Sequence, residues 1–322
     1  MAKHPMFPGY DPGRNYCEIF GKSGATSAPN PLARKLAKYK ARALNQRNAA
    51  AERELHNLGI TFTVYSDAGA IDRILPFDPI PRQISQADWK VIESGCKQRV
   101  AAMNAFLTDI YGAQKILKDK IIPKDLVLKN KHFRKEMLGV KLVNNTYTHI
   151  SGVDLIRDET GEFFVLEDNC RSPSGVSYVI ENRHLMMRSF PDLMEGMKVM
   201  PVSDYGKRLR GKLMECAPQR IQKPHIALLT PGVFNSAYFE HIFLAREMGV
   251  PLVEGRDLIV DDQNRVFMKT ITGLERIHMI YRRIDDDFLD PEVFQKDSML
   301  GVPGIMRALK AGKVSIANAV GA

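Results

Sequence analysis

The chain has 322 residues, 44% of them hydrophobic and 26% charged, with a net charge of +9. That is an ordinary globular composition, long enough for about two domains, and it excludes a disordered or fibrous chain. There is no run of about 18 apolar residues and no apolar signal core, so no membrane span is expected and the expected location is the cytoplasm. Four dispersed cysteines (Cys17, Cys96, Cys170, Cys216), with no Cys-x-x-Cys pair, argue against a zinc ribbon or a disulfide scaffold.

The charge is uneven. Residues 1–50 hold nine Lys and Arg against two acids, so +7 of the +9 belongs to this segment. A basic arm can bind nucleic acid or an acidic surface, and a solvated helix face is the plainer alternative. Nucleic acid ranks last as a partner, because no aromatic or Gly-rich RNA-binding motif accompanies the charge. Residues 1–30, rich in Gly, Pro and Ser, read as loop. Residues 31–58 read as one helix from the spacing of Leu32, Leu36, Tyr39, Ala43 and Leu44, ended by Gly59. Ile60, Phe62 and Val64 alternate as in a strand, and Pro76–Pro81 reads as an extended connector.

Residues 86–111 predict the clearest helix. Ser85 and Asp88 form a capping signature. Trp89, Ile92, Cys96, Val100, Met103, Leu107 and Ile110 form one apolar stripe, and Gly112 closes it. Cys96, inside the stripe, reads as core. From about residue 222 a strand (His225–Thr230), the Pro231-Gly232 turn, a helix over 237–248 capped by Ser236 and stopped by Gly249, and a second strand (Pro251–Glu254) predict a βαβ unit of a parallel sheet. A hairpin around Asp261–Asn264 and a strand over Ile277–Ile280 follow. The expected fold class is mixed α/β.

Some motifs are decoys. Gly21-Lys22-Ser23 lacks the earlier glycine and the preceding strand of a P-loop, Gly-x-Gly-x-x-Gly is absent, and the eight histidines show no spaced ligand pair.

The informative stretch is 149–183. Asp158–Gly161 predicts a four-residue turn between two strands. If Arg157 pairs with Glu162, Asp154 lies opposite Val165, and Asp154, Val165, Glu167 and Asn169 share a face. Asp154 and Glu167 then become diagonal neighbours about 7–8 Å apart. Two carboxylates and an amide oxygen suit magnesium better than zinc; ordinary solvated acids are the alternative. Arg171 and the Ser172–Gly175 turn follow directly, and a metal, an arginine and a backbone-rich turn are what phosphoryl transfer needs. A second cluster, Tyr281–Asp287, ends the strand from 277, where a parallel sheet binds ligands. Alternation sends Arg282 and Arg283 to opposite sides, so one of them enters the site.

Glu167-Asp-Asn-Cys-Arg-Ser-Pro-Ser-Gly-Val-Ser-Tyr178, Pro76–Pro81, Thr230-Pro-Gly, Asn235–His241, Glu254-Gly-Arg-Asp257 and Tyr281–Asp287 together resemble the circularly permuted ATP-grasp family, type 2, often labelled glutathionylspermidine synthase-like. The resemblance covers nearly the whole chain. It implies an ATP- and Mg2+-dependent carboxylate–amine ligase, in which ATP phosphorylates a carboxylate and an amine attacks the acyl phosphate to form an amide. It implies Glu167 and Asn169 as metal ligands with Asp154 on the preceding strand. Arg171, Ser172, Ser174 and Gly175 would lie near the transferred phosphate or acyl group, with Arg283 as a second contact.

Residues 1–58 read as a basic, partly irregular and helical N-terminal segment, and by this resemblance 59–221 are the ATP-grasp part. Residues 222–322 form a Rossmann-like pre-ATP-grasp domain. Family members continue further and carry their nucleotide clamp there, so the chain is expected to hold the metal-ligand half without the clamp, with a separate polypeptide as one source of it. Small or peptide-like carboxylates and amines are the expected substrates. The alternative is a non-catalytic binding remnant of the fold.

Overall fold

The computed structural model describes residues 11, 13–19, 31–66, 69–218 and 221–322. Most of the loop expected over 1–30, including Gly21-Lys22-Ser23 and the basic residues Lys3 and Lys22, lies outside the described residues. The elements in chain order are α1 (Pro31–Leu36), α2 (Ala41–Asn57), β1 (Thr61–Ser66), β2 (Gly69–Ile74), α3 (Gln86–Ile110), α4 (Lys115–Lys118) and α5 (Lys124–Leu128). Next come β3 (Gly152–Arg157), β4 (Phe163–Asn169), α6 (Val176–Ser189), α7 (Pro191–Met194), α8 (Tyr205–Glu215), β5 (Ile226–Leu229), α9 (Tyr238–Met248) and β6 (Leu252–Val253). The chain ends with β7 (Leu258–Val260), β8 (Val266–Thr270), β9 (Gly273–Ile277), β10 (Met279–Arg282), α10 (Asp286–Leu289), α11 (Ile305–Lys310) and β11 (Ser315–Ala317). Among the described residues no helix is long and apolar enough to cross a membrane.

The mixed α/β class holds. The chain forms two compact units that interleave in sequence rather than following as consecutive blocks: residues up to Gly95 with 153–168 and 175–203, and 96–152 with 169–174 and 204–322.

In the first unit, Leu32, Leu36, Leu44, Leu55, Ile180, Leu185, Phe190 and Leu193 are buried. The helix expected over 31–58 is broken after Leu36, and no helix breaker stands there. Lys35 Nζ donates to the carbonyls of Asp192 (2.8 Å), Leu193 (3.2 Å) and Glu195 around α7, and Tyr39 donates to the Asp192 carboxylate, which Arg47 also meets at 2.9 Å. Two of the basic residues, Lys35 and Arg47, are thus spent on packing. β1 pairs antiparallel with β2, from Thr61 opposite Ile74 to Ser66 opposite Gly69, a partner strand the alternation at 60–65 did not announce. At the start of α3, Asp88 N–H donates to Ser85 Oγ at 3.0 Å as the capping signature requires. Trp89, at 43% exposure, lies outside the buried stripe.

The second unit holds a parallel sheet in the order β11-β10-β5-β6. Leu229, Ile280, Ile316, Val302, Ile305 and Met306 fill its core. The βαβ unit expected from 222 is β5-α9-β6, and Gly249 ends α9 in the left-handed region (φ 61). Ser236 does not cap its start: the N-cap is Ala237, with no side-chain cap, and Asn235 Oδ1 accepts from Ala237 N–H at 2.9 Å in the turn before the helix. The strand expected over 277–280 is two elements. β9 closes the antiparallel β7-β8-β9 sheet and β10 joins the parallel one, with His278 between them donating its amide to the His225 carbonyl. α8 packs on α9 at Gly206, where a Cβ would stand 2.6 Å from Glu247 Cβ. Only glycine permits that approach.

Candidate functional site

The parallel sheet of the second unit has its topological switch between β5 and β10, since the chain leaves β5 for β6 on one side and returns to β10 on the other. The carboxyl ends of strands at such a point form a ligand crevice. Arg282 and Arg283 stand there, and as alternation requires they turn to opposite sides.

Arg283 is buried. Nη1 donates to the Pro173 carbonyl (2.6 Å) and Tyr281 Oη (3.1 Å), and Nη2 donates to Ser174 Oγ (2.5 Å) and the Glu240 carboxylate (3.1 Å). Both terminal nitrogens are therefore engaged within the protein, and what Arg283 holds is the 171–174 turn. Around it, burial raises the Tyr281 phenol, and burial with the neighbouring Tyr281 raises that of Tyr205. Both stay neutral. Burial, reinforced by Arg283, lowers the His241 imidazole to about 3, so it stays neutral too, with Nδ1 2.8 Å from Thr230 Oγ1.

Within the turn, Ser172 Oγ is buried with no hydrogen-bond partner, and Ser174 Oγ lies 3.4 Å from the Ser172 carbonyl besides its bond to Arg283. Arg171 is partly exposed and stands 3.8 Å from Asp285, a loose pair that leaves its guanidinium able to turn to an anion. Gly175 starts α6 with φ +117, a conformation that favours glycine.

β3 and β4 pair as a two-stranded sheet. At the turn, Asp158 N–H donates to the Glu162 carbonyl at 2.9 Å, so Arg157 comes opposite Phe163 and not Glu162. At the other end a Cβ on Gly152 would stand 3.4 Å from Asn169 Cβ. The six residues of β3 run against seven of β4, so β4 accommodates one extra residue, as in a β-bulge. Val153 and Asp168 are half-buried, and Asp154 and Glu167 are exposed. The two carboxylates thus stand exposed on neighbouring strands of one two-stranded sheet. Asn169 lies two residues further along the same strand. Among the described residues no group of three or more His, Cys, Asp or Glu side chains gathers as a metal centre. Two carboxylates and a carboxamide are a donor set of another kind, one that suits a hard divalent cation.

Sequence reasoning missed a network on the other side of β10. Arg282 meets the Asp286 carboxylate at 2.6 Å and donates to the carbonyls of Ile284, Asn318 and Ala319. Burial opposes ionisation of Asp286, but Arg282, the Gly321 amide and Arg134 hold its carboxyl below the usual range. The Asn318 side chain in turn bonds the backbone of His149, Ile150 and Cys170. An Asn-Ala pair after a short strand carries no signal that would have marked it.

The sequence profile of the circularly permuted ATP-grasp type 2 family matches residues 81–322. The chain belongs to this family. Among its relatives is an uncharacterized protein of Synechocystis sp., 48% identical over 97% of this chain and 65% of its own length. An uncharacterized protein of Mycobacterium tuberculosis is 45% identical over 98% of this chain and 57% of its own length. A Frankia alni protein with a provisional glutamate–cysteine ligase name is 37% identical over 97% of this chain and 36% of its own length. The chain therefore spans less than two thirds of the length of these relatives. A glutathione synthetase-like effector of Globodera pallida, in its apo form, shares the fold at a TM-score of 0.50 and 13% identity, over 85% of this chain and 64% of the other.

Proposed function

We propose that the chain carries the metal-ligand part of an ATP- and Mg2+-dependent carboxylate–amine ligase. The γ-phosphoryl group of ATP passes to a carboxylate oxygen with release of ADP. The amine then attacks the acyl carbon, phosphate leaves with the C–O bond, and the nitrogen loses its proton to give an amide. Family membership supports this class of reaction, and the provisional name of the Frankia relative belongs to an amide-forming ligation of the same kind. The observation that carries the reading is that β3 and β4 pair with the Asp154 and Glu167 carboxylates exposed on them and Asn169 further along β4, which offers oxygen donors of the kind magnesium takes. A magnesium ion held by these residues would supply neutralisation of charge on the phosphoryl oxygens. Arg171 meets the phosphate or acyl group, the Ser172–Gly175 turn supplies polar contacts, and Arg283 holds that turn in place. The substrates are small or peptide-like carboxylates and amines.

The test is direct metal binding by the 322-residue chain, with Mn2+ as a paramagnetic probe, alongside ADP formation from ATP in mixtures of carboxylates and amines. Glu167→Gln should weaken Mn2+ binding by about tenfold or more, as loss of a carboxylate ligand does. Equal binding by the variant and the wild type would overturn the assignment.

A further inference from the structure

We propose that Asn318 is a positioning residue that sets the Asn169 carboxamide for its metal; this rests on the ligase reading. Asn318 follows β11 and is 1% exposed. Its Oδ1 accepts from the amides of His149 (2.7 Å) and Ile150 (2.9 Å), and its Nδ2 donates to the carbonyls of Ile150 (2.6 Å) and Cys170 (2.6 Å). A carboxamide has two acceptor lone pairs and two N–H donors, and all four are used here. The two amides on one side and two carbonyls on the other also leave one orientation for the group. The backbone carbonyl of Asn318 accepts from Arg282 Nε at 2.8 Å, which ties the residue to the carboxyl end of β10.

Both bonded segments lead to the candidate ligand strand. Cys170 directly follows Asn169. Ile150 stands two residues before Gly152, which lies against both Asn169 and Pro173, since a Cβ there would be 3.4 Å and 3.2 Å from theirs. One side chain therefore fixes the peptide after Asn169 and the strand root beside it. Orienting a ligand through its own neighbours is the usual work of groups just outside a metal's coordination sphere. Asn318→Asp keeps the shape but turns a carboxylate oxygen towards two carbonyl oxygens, so the Cys170 peptide must move. Asn318→Ala removes all four bonds without that repulsion.

The experiment measures Mn2+ affinity of the 322-residue chain by electron paramagnetic resonance, at a temperature where circular dichroism shows each variant folded. Leu309→Ala, a core truncation on α11 in the same unit, serves as the control for destabilisation alone. Asn318→Asp and Asn318→Ala should each weaken Mn2+ binding about tenfold or more, while Leu309→Ala stays within about twofold of wild type. Wild-type affinity in either folded Asn318 variant, or an equal loss in Leu309→Ala, would overturn the proposal and leave the ligase reading standing. Absence of Mn2+ binding by the wild-type chain would overturn the ligase reading, and the positioning role with it.

Discussion

Glu240 meets Arg283 at 3.1 Å in a place where neither side chain is more than 1% exposed. Arg283 in turn holds Pro173 and Ser174, so the buried pair sets the turn that follows the candidate metal strand. Replacing Glu240 by Ala leaves a buried guanidinium without its counter-charge, which costs about 3–5 kcal/mol. Urea denaturation should show that loss. The double replacement of Glu240 and Arg283 by Met should recover much of it, because no charge is then left unpaired. Additive losses in the double variant would contradict a coupled pair.

Stability should fall in acid through two buried histidines. Burial, then Arg283, lowers His241 to about 3, and burial lowers His149 to about 4 against an opposing backbone hydrogen bond. Each binds a proton in the unfolded chain near pH 6.5 but in the fold only well below that. The unfolded chain therefore holds more protons between these values. Their contribution is fully present above about pH 6.5 and is lost as pH falls, at roughly 1.4 kcal/mol per pH unit for each histidine. Denaturation midpoints between pH 7 and pH 4 test this, and His241→Gln should reduce the slope by about one proton. An unchanged slope would remove His241 from the account.

Gly321, with φ +80, leaves no room for a side chain: a Cβ would stand 2.3 Å from Tyr111 Oη, which itself donates to the Gly321 carbonyl at 3.2 Å. Gly321→Ala should cost about 2–4 kcal/mol through steric conflict and backbone strain. Tyr111→Phe should cost less alone and should partly relieve Gly321→Ala. A double-mutant cycle with no coupling would contradict the contact.

Arg157, with a side chain 7% exposed, stacks over Tyr16 (3.8 Å) and Phe163 (4.6 Å) and pairs with Asp88 at 3.1 Å. A lysine keeps the charge and loses the flat stacking face and the forked donors. Arg157→Lys should lower stability by about 1–2 kcal/mol, read from the thermal unfolding of the chain. A change within error would show that the ammonium replaces the guanidinium.

Several features were legible in the sequence for local reasons. The βαβ unit needs an apolar run, a Pro-Gly turn, helical spacing and a closing glycine, all within thirty residues or so, and hydrogen bonds between near neighbours make those signals sufficient. The start of α3 is likewise local, since Ser85 reaches the amide of Asp88 across one turn. The opposite fates of Arg282 and Arg283 follow from the two-residue period of a strand.

Tertiary structure decided the rest. The break after Leu36 has no local cause; carbonyls around α7 capture Lys35 from more than 150 residues away. The register of β3 against β4 turned on an extra residue in β4, because the Asp158–Gly161 turn and the approach of Gly152 to Asn169 differ by one step. Arg283 carries the residue type of an anion contact, but Glu240, Pro173 and Ser174 occupy its donors. Asn318 bonds partners some 150 to 170 residues distant. The sequence by itself determined which residue types stand on which strands, because alternation and turn chemistry act over a few residues. Which of them hold a ligand and which hold the fold was decided by contacts between distant segments, whose geometry no short-range pattern encodes.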